Sequence, residues 1–357
     1  MGAGTLTPIN KLKGQFKKTI QKGDILFSEI RPANRRFAKV SISDCQDFVV
    51  STKLMVLRKF NDKVDANYFF YCLTNQPFLD TLQRRAENRI GSFPQITFDI
   101  LAGYTFPIPP LDEQKRIAKV IFNIDRKIEL NKAINDNLEA MAKQLYDYWF
   151  VQFDFPNEEG KPYKSSGGAM VWNEKLKREI PQGWSTLPIS AILDKYSTTK
   201  RYETKEYLSQ GKYPIIDQGD TYIVGYTNED DNLLTRHPAV LFGDHSTKVK
   251  FLDFDFARGA DGTQILYSSN DAVSQYYLYL AVSTLQIPNP GYSRHFKYLK
   301  ELPIVIPSLS IAIKFANIVK PLFKKWTNNI FNNIALTKQR DELLPLLMNG
   351  QASVNSD

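Results

Sequence analysis

The 357-residue chain is poor in the side chains that most often hold metals or act as nucleophiles, with three histidines and two cysteines, Cys45 and Cys72. Two thiols cannot build a disulfide framework or a four-thiolate metal site, and their scarcity fits a reducing compartment. No HExxH, CxxC, GxGxxG or P-loop occurs, so neither a zinc peptidase, a dinucleotide fold nor an ATP motor is encoded. No run of about 18 apolar residues is available to span a bilayer, and the first residues lack the charged-then-apolar pattern of a signal peptide. The expected address is therefore the cytoplasm, with no membrane partner.

What is present is enough apolar and aromatic material for a substantial core, at 43% and 13% of residues, and a net charge of +8 that mildly favours a polyanionic partner. Two faint catalytic patterns carry little. "NPGY", Asn289 to Tyr292, resembles the Asn-Pro-Pro-Tyr loop of amino-methyltransferases, but its third residue is Gly and no glycine-rich cofactor strand precedes it. Asp154, Glu159 and Lys161 fall in a polar stretch that reads as a connector, whereas a nuclease holds its carboxylates on rigid elements. The chain reads as non-catalytic, with no cofactor or metal bound by its own residues.

Its dominant feature is an internal repeat. Setting Pro109 against Pro307, an offset of 198, aligns Leu111 with Leu309, Arg116 with Lys314, Ala118 with Ala316 and Leu138 with Leu336. Upstream, with some slippage, "GDILFSEI" resembles "PAVLFGDH", "STKLMVL" parallels "DGTQILY", and "NYFFYCL" parallels "QYYLYLA". The expected class is α+β: two repeated β-rich domains, with two long helices forming an antiparallel coiled coil. The β-rich reading rests on short runs such as "YPIID" and "KVKFLDFDFA" bounded by turn formers. The helical reading rests on heptads: Ile117, Ile124, Asn131, Leu138 and Leu145 take one core position, and Ile121, Ile128, Asn135, Ala142 and Trp149 the other.

The same positions plus 198 are again mostly apolar, and both Asn layers recur as Asn329 and Asn333. Forty helical residues extend about 60 Å, more than one compact face needs. Antiparallel pairing predicts that residues whose numbers sum to 464 face one another: Asn131 with Asn333, Asn135 with Asn329, Leu138 with Trp326, Trp149 with Phe315. Polar core residues of this kind can fix register. The expected boundaries are a first domain at 1–108, helix 109–150, connector 151–183, second domain 184–307, helix 308–350 and tail 351–357.

Basic and polar side chains gather in loop-like stretches of both domains. The first holds Arg31, Asn34, Arg35 and Arg36, then Arg84, Arg85 and Arg89. The second holds Lys200 and Arg201, then His245, Ser246, Lys248 and Lys250, then Tyr292, Arg294 and His295. Lys and Arg attract phosphates, while Arg, Asn, His and Ser also address base edges in the major groove. Similar loops in two repeated domains suggest two half-sites on one double-stranded DNA.

The stretch "PIPPLDEQKRIAKVIFNIDRKIELNKAINDNLEAMAKQLYDYWFVQFDFP", followed by "IPQGW", closely resembles the specificity subunit of type I restriction-modification systems. The resemblance implies two target-recognition domains that each read half of a bipartite site, and helices that set the spacing and dock two modification (methyltransferase) subunits. Restriction (motor-nuclease) subunits would join that core, and S-adenosylmethionine, ATP and Mg would be carried by these partners. Two departures stand out. The second domain has 56 residues from Trp184 to the residue before Val240, but the first has only 24 before its counterpart Ile25, leaving about 32 without an equivalent. A truncated gene, a silent cassette or a displaced start each accounts for that, and a fragment that binds modification subunits without two-site targeting is the alternative function. "DEQ" after the first Pro-Pro-Leu also becomes "SIA" in the second copy.

Overall fold

The structure is a computed structural model that describes residues 15–59, 61–88, 94–194, 199–288 and 294–354. Contacts divide it into two compact units, Met1–Ala133 with Ile330–Asp357, and Ile134–Asn329.

In the first unit, β1 (Phe16–Thr19) pairs antiparallel with β4 (Val49–Ser51), and β2 (Ile25–Ser28) is the centre of a sheet flanked by β3 (Phe37–Lys39) and β5 (Leu54–Leu57). Helices α1 (Ala66–Thr74), α2 (Gln76–Glu87) and α3 (Phe98–Ala102) follow. Asp65 caps α1 by accepting from the N–H groups of Asn67 and Tyr68, and Asn75 caps α2 ahead of Pro77. The core joins Phe27, Met55, Leu73 and Leu79 to Ile117 and Ile121 of α4 (Leu111–Tyr146). Short strands alternate with a helical pair here, so this half is less β-rich than its sequence suggests.

The second unit opens with the end of α4 and one π-helical turn, Asp147–Val151. Then come the hairpin β6 (Met170–Asn173) with β7 (Arg178–Pro181), β8 (Ser185–Pro188), β9 (Arg201–Tyr202), β10 (Tyr213–Ile216), β11 (Gly225–Thr227) and β12 (Leu233–Leu234). β13 (Ala239–Gly243), β14 (Val249–Leu252), β15 (Phe256–Gly259), β16 (Thr263–Leu266), α5 (Gln275–Thr284), α6 (Phe296–Glu301) and β17 (Pro303–Ile306) lead into α7 (Leu309–Met348). β15 lies between β10 and β12, with β9 also paired to it, and β17 pairs antiparallel with β8. The core is aromatic: the Phe150 ring lies 4.7 Å from Tyr277 and 4.8 Å from Phe315, and Trp149 lies 5.7 Å from Phe315.

The repeat extends to strand order: β2 sits between β3 and β5 as β13 sits between β14 and β16. The outer pairing slips by one residue, since Phe27 faces Met55 while Phe242 faces Gln264, next to the Ile265 that aligns with Met55. β1 with β4 matches β12 with β15, Thr19 opposite Val49 and Leu234 opposite Phe256. Buried tyrosines at matching helix positions tie each unit to the run before its long helix: Tyr68 Oη donates to the Pro107 carbonyl at 3.5 Å, and Tyr277 Oη to that of Val305 at 2.7 Å. Both aromatic runs are helical because they combine a capped start with a continuous buried face.

Two segments differ from expectation. Residues 151–183, read as a polar connector, are folded: Phe153, Phe155, Ile180 and Trp184 belong to the second unit's core, and Phe155 stacks between Tyr163 at 4.6 Å and Trp184 at 4.8 Å. Asp154 accepts from the Ser165 N–H at 2.8 Å and hydroxyl at 2.7 Å, which fixes the Gly-Ser loop. The polar tail likewise sends Ala352 and Val354 against the first unit's core.

The helical heptads place most of their predicted core residues inward. In the first unit Asn131 Nδ2 donates to Asn333 Oδ1 at 2.9 Å, and Arg340 occupies a core position because Asp125 accepts from its NH1 at 2.9 Å while Tyr71 Oη donates to the same carboxylate at 3.0 Å. In the second unit Asn329 Nδ2 donates to Asn135 Oδ1 at 2.8 Å, and Asn135 Nδ2 to the Trp326 carbonyl at 3.1 Å. Both pairs have the sum of 464 that an antiparallel arrangement requires. Among the described residues no helix is long and apolar enough to cross a membrane.

Candidate nucleic-acid interface

The equivalent hairpins β2–β3 and β13–β14 each carry candidate contacts in their connecting loop. In the first unit the loop turns through a 3-10 segment, Pro32–Asn34, with Arg31 at φ 48° and Arg35 at φ 52° on either side. Left-handed backbone at two arginines is strained and needs outside support. Helix α2 supplies it: Gln83 Oε1 accepts from the Ala33 N–H at 3.0 Å and Gln76 Oε1 from Arg35 NH1 at 2.5 Å. The exposed face of α2 adds Arg84 and Arg85, the latter stacked 5.5 Å over Tyr104. Arg31, Asn34, Arg35, Arg36, Arg84 and Arg85 are thus exposed residues of one packed pair, the loop and the helix. Arg89 lies outside the described residues.

In the second unit the loop is shorter and its support is a single side chain. Gln218 Oε1 accepts from the N–H groups of His245 at 2.9 Å and Ser246 at 3.3 Å, while its Nε2 donates to the Asp261 carbonyl at 2.8 Å. The Ser246 hydroxyl donates back to the Gln218 carbonyl at 2.7 Å. Three loops, 217–220, 243–248 and 259–262, are therefore joined by one amide. Gly262, at φ 81°, is required there, since a Cβ would stand 2.5 Å from Gln218 Nε2 and 2.6 Å from His245 Cδ2. His245 and Lys248 face solvent, and Lys248 pairs with Asp220 at 2.7 Å.

Two expected contacts are corrected. Lys250 is 7% exposed and donates inward to the carbonyls of Asp217 at 2.8 Å and Thr221 at 2.6 Å; burial lowers its pKa. It holds a loop and does not face solvent. His295 is 5% exposed; its backbone N–H and ring Nδ1 both meet the Asp244 carbonyl, at 2.8 and 3.0 Å, at the start of α6. In sequence both sit among turn formers and cations, and only the tertiary carbonyls show that they point in.

The remaining cations are paired differently. Lys200 lies against Glu206 and Glu229 at 3.1 and 3.2 Å, which raise its pKa, and 4.3 Å over the Tyr202 ring. Arg201 and Arg294, both exposed, converge on Asp261, at 2.5 Å from Oδ1 and 3.5 Å from Oδ2. Neither Gln218 nor Asp261 was indicated by a search for cations; the usable signal was "DQGD" directly after a strand and "ADGT" at a tight turn. Tyr292 and the rest of "NPGY" lie outside the described residues. Among the described residues, no group of three or more His, Cys, Asp or Glu side chains is placed to hold a metal ion.

Comparison with known proteins follows this arrangement. A family model described as the type I restriction modification DNA specificity domain matches residues 5–140 and 181–336, one match for each copy of the repeat. The HindI specificity subunit of Haemophilus influenzae is 42% identical over 149 residues, which are 42% of this chain and 32% of that protein. The MjaIX specificity subunit of Methanocaldococcus jannaschii is 26% identical over 318 residues, 82% of this chain and 70% of that one. The match to the HindI protein thus spans about a third of its length. Among solved structures, the type I restriction-modification S subunit from M. genitalium has the same fold, with a TM-score of 0.53 at 16% identity over 95% of this chain and 85% of its own.

Proposed function

The chain belongs to the family of type I restriction modification DNA specificity domains, and from that membership we propose that it is a DNA-specificity subunit whose two units each read one half of a bipartite double-stranded site. The observation that carries this reading is the duplicated hairpin: β2–β3 and β13–β14 hold the same place in their sheets, and each presents exposed cations or hydrogen-bonding side chains from its connecting loop. Phosphates would meet Arg31, Arg35, Arg36, Arg84 and Arg85 in one unit and Lys200, Arg201, Lys248 and Arg294 in the other, while Asn34 and His245 are suited to base edges; the Ser246 hydroxyl is turned inward to the Gln218 carbonyl. Catalysis is left to partners: two modification subunits with S-adenosylmethionine, and motor-nuclease subunits with ATP and Mg, all in the cytoplasm. Docking of modification subunits on the helices is supported by exposed Ile134, Met141 and Tyr148, seven residues apart.

The test is co-expression with the neighbouring modification subunits and genome-wide mapping of methylated bases. A bipartite motif is the expected result, and an absent motif in cells where the complex forms overturns it.

A further inference from the structure

An exposed carboxylate is out of place in a phosphate-binding surface, yet Asp261 is fixed at the centre of one. Its side chain is 62% exposed, and Arg201 and Arg294 reach it from distant parts of the chain. Exposed ion pairs add little to stability, so stabilisation alone is a poor reason for this convergence. The turn beneath is built to hold it: Gln218 Nε2 donates to the Asp261 carbonyl, the Ala260 N–H donates to Tyr207 Oη at 3.1 Å, and the Thr263 hydroxyl donates to the Ala260 carbonyl at 3.1 Å. Gly262 leaves no space for a side chain against Gln218 and His245.

A rigid carboxylate close to DNA is repelled by every phosphate and is compensated only where a donor faces it. In the major groove the donors are the exocyclic amino groups, N4 of cytosine and N6 of adenine. Resting on the DNA-reading function proposed above, we infer that Asp261 is a specificity-determining residue of the second unit that accepts a hydrogen bond from a base amino group. Arg201 and Arg294 keep it oriented in the free protein and turn to phosphate or guanine on binding. Selection here is partly repulsive, since a base presenting only acceptors leaves the carboxylate desolvated and unpaired.

The experiment maps the methylated motif in cells that co-express the modification subunits with the wild-type chain, with Asp261→Asn or with Asp261→Ala. Thermal melting and co-purification with the modification subunits monitor folding and assembly. The expected result is that both remain unchanged while one position of one half-site relaxes, its base preference falling roughly tenfold to a hundredfold, and the other half-site is unaltered. A motif unchanged at every position, or a uniform loss of methylation with no position relaxed, overturns the assignment of Asp261. Absence of any motif from the wild-type chain instead overturns the DNA-reading function and this inference with it, so the two failures are distinct.

Discussion

Replacing one or both members of the buried amide pair Asn135–Asn329 tests whether the polar layer acts as a unit. Asn329 is 1% exposed and Asn135 is 8% exposed, so neither can exchange its partner for bulk water. Asn329→Leu leaves Asn135 Oδ1 without its 2.8 Å donor, and an unsatisfied buried acceptor costs about 1–3 kcal/mol. Asn135→Leu strands the Asn329 donor and removes a second bond to the Trp326 carbonyl, at a similar cost of about 2 kcal/mol, because that carbonyl lies within a helix and keeps its backbone partner. Changing both removes every orphan at once and adds apolar surface, so the double variant is expected within about 1 kcal/mol of wild type and non-additive by about 3 kcal/mol. All four tryptophans, Trp149, Trp172, Trp184 and Trp326, lie in the unit Ile134–Asn329, so urea unfolding followed by tryptophan emission reports on that unit alone. A double variant whose loss equals the sum of the singles refutes the pairing argument.

Four other outcomes are expected. Asn131→Leu should cost less than Asn329→Leu, about 1 kcal/mol, because the Asn131–Asn333 pair is only half-buried; far-ultraviolet circular dichroism during urea unfolding measures it. Burial raises the Asp24 carboxyl, but hydrogen bonds from Arg58 and the Gln21 N–H outweigh it and hold the group below its ordinary range. Its contribution is thus present above the unfolded value of about 4 and lost as pH falls through the lower folded value. Asp24→Asn, expected to cost about 1 kcal/mol at pH 7 after discounting for the half-exposed Arg58, should differ less from wild type as melts are taken below about pH 4. Phe315→Ala should cost about 3–5 kcal/mol and alter Trp149 emission, since the ring is fully buried against Trp149 and Phe150. Arg294→Ala should leave the melting temperature unchanged but lower the salt slope of DNA binding by about one, whereas His295→Ala should lower the melting temperature itself.

The long helices and their Asn layers were legible because a heptad repeat is a local signal that persists over many turns, and two copies fix the register of each other. The duplicated central strands were legible for a related reason: "ILFS" and "VLFG" share their run of apolar residues ending in a small one. The direction of single cations was not. Lys248 and Lys250 are two residues apart at the start of β14, yet Lys248 faces solvent and Lys250 reaches the carbonyls of Asp217 and Thr221. Residues 151–183 misled through composition, since Gly, Ser and Lys outnumber the three aromatics, Phe153, Phe155 and Tyr163, that anchor them against the core.

Under the proposed function, the two hairpins would let one fold accommodate different target sequences. Each centres on a fully buried phenylalanine, Phe27 opposite Met55 and Phe242 opposite Gln264. The loops share nothing in their support. Eight residues between β2 and β3 are braced by the glutamines of a helix, while five between β13 and β14 are braced by Gln218 from a neighbouring loop. Core register is set by the strands and costs nothing when a loop changes, so loop length, brace and charge can vary with little penalty to the fold. Under that function a change at Gln218 or Gln83 would act on recognition through the loop it holds, whereas a change at Phe242 or Phe27 acts on whether the unit folds.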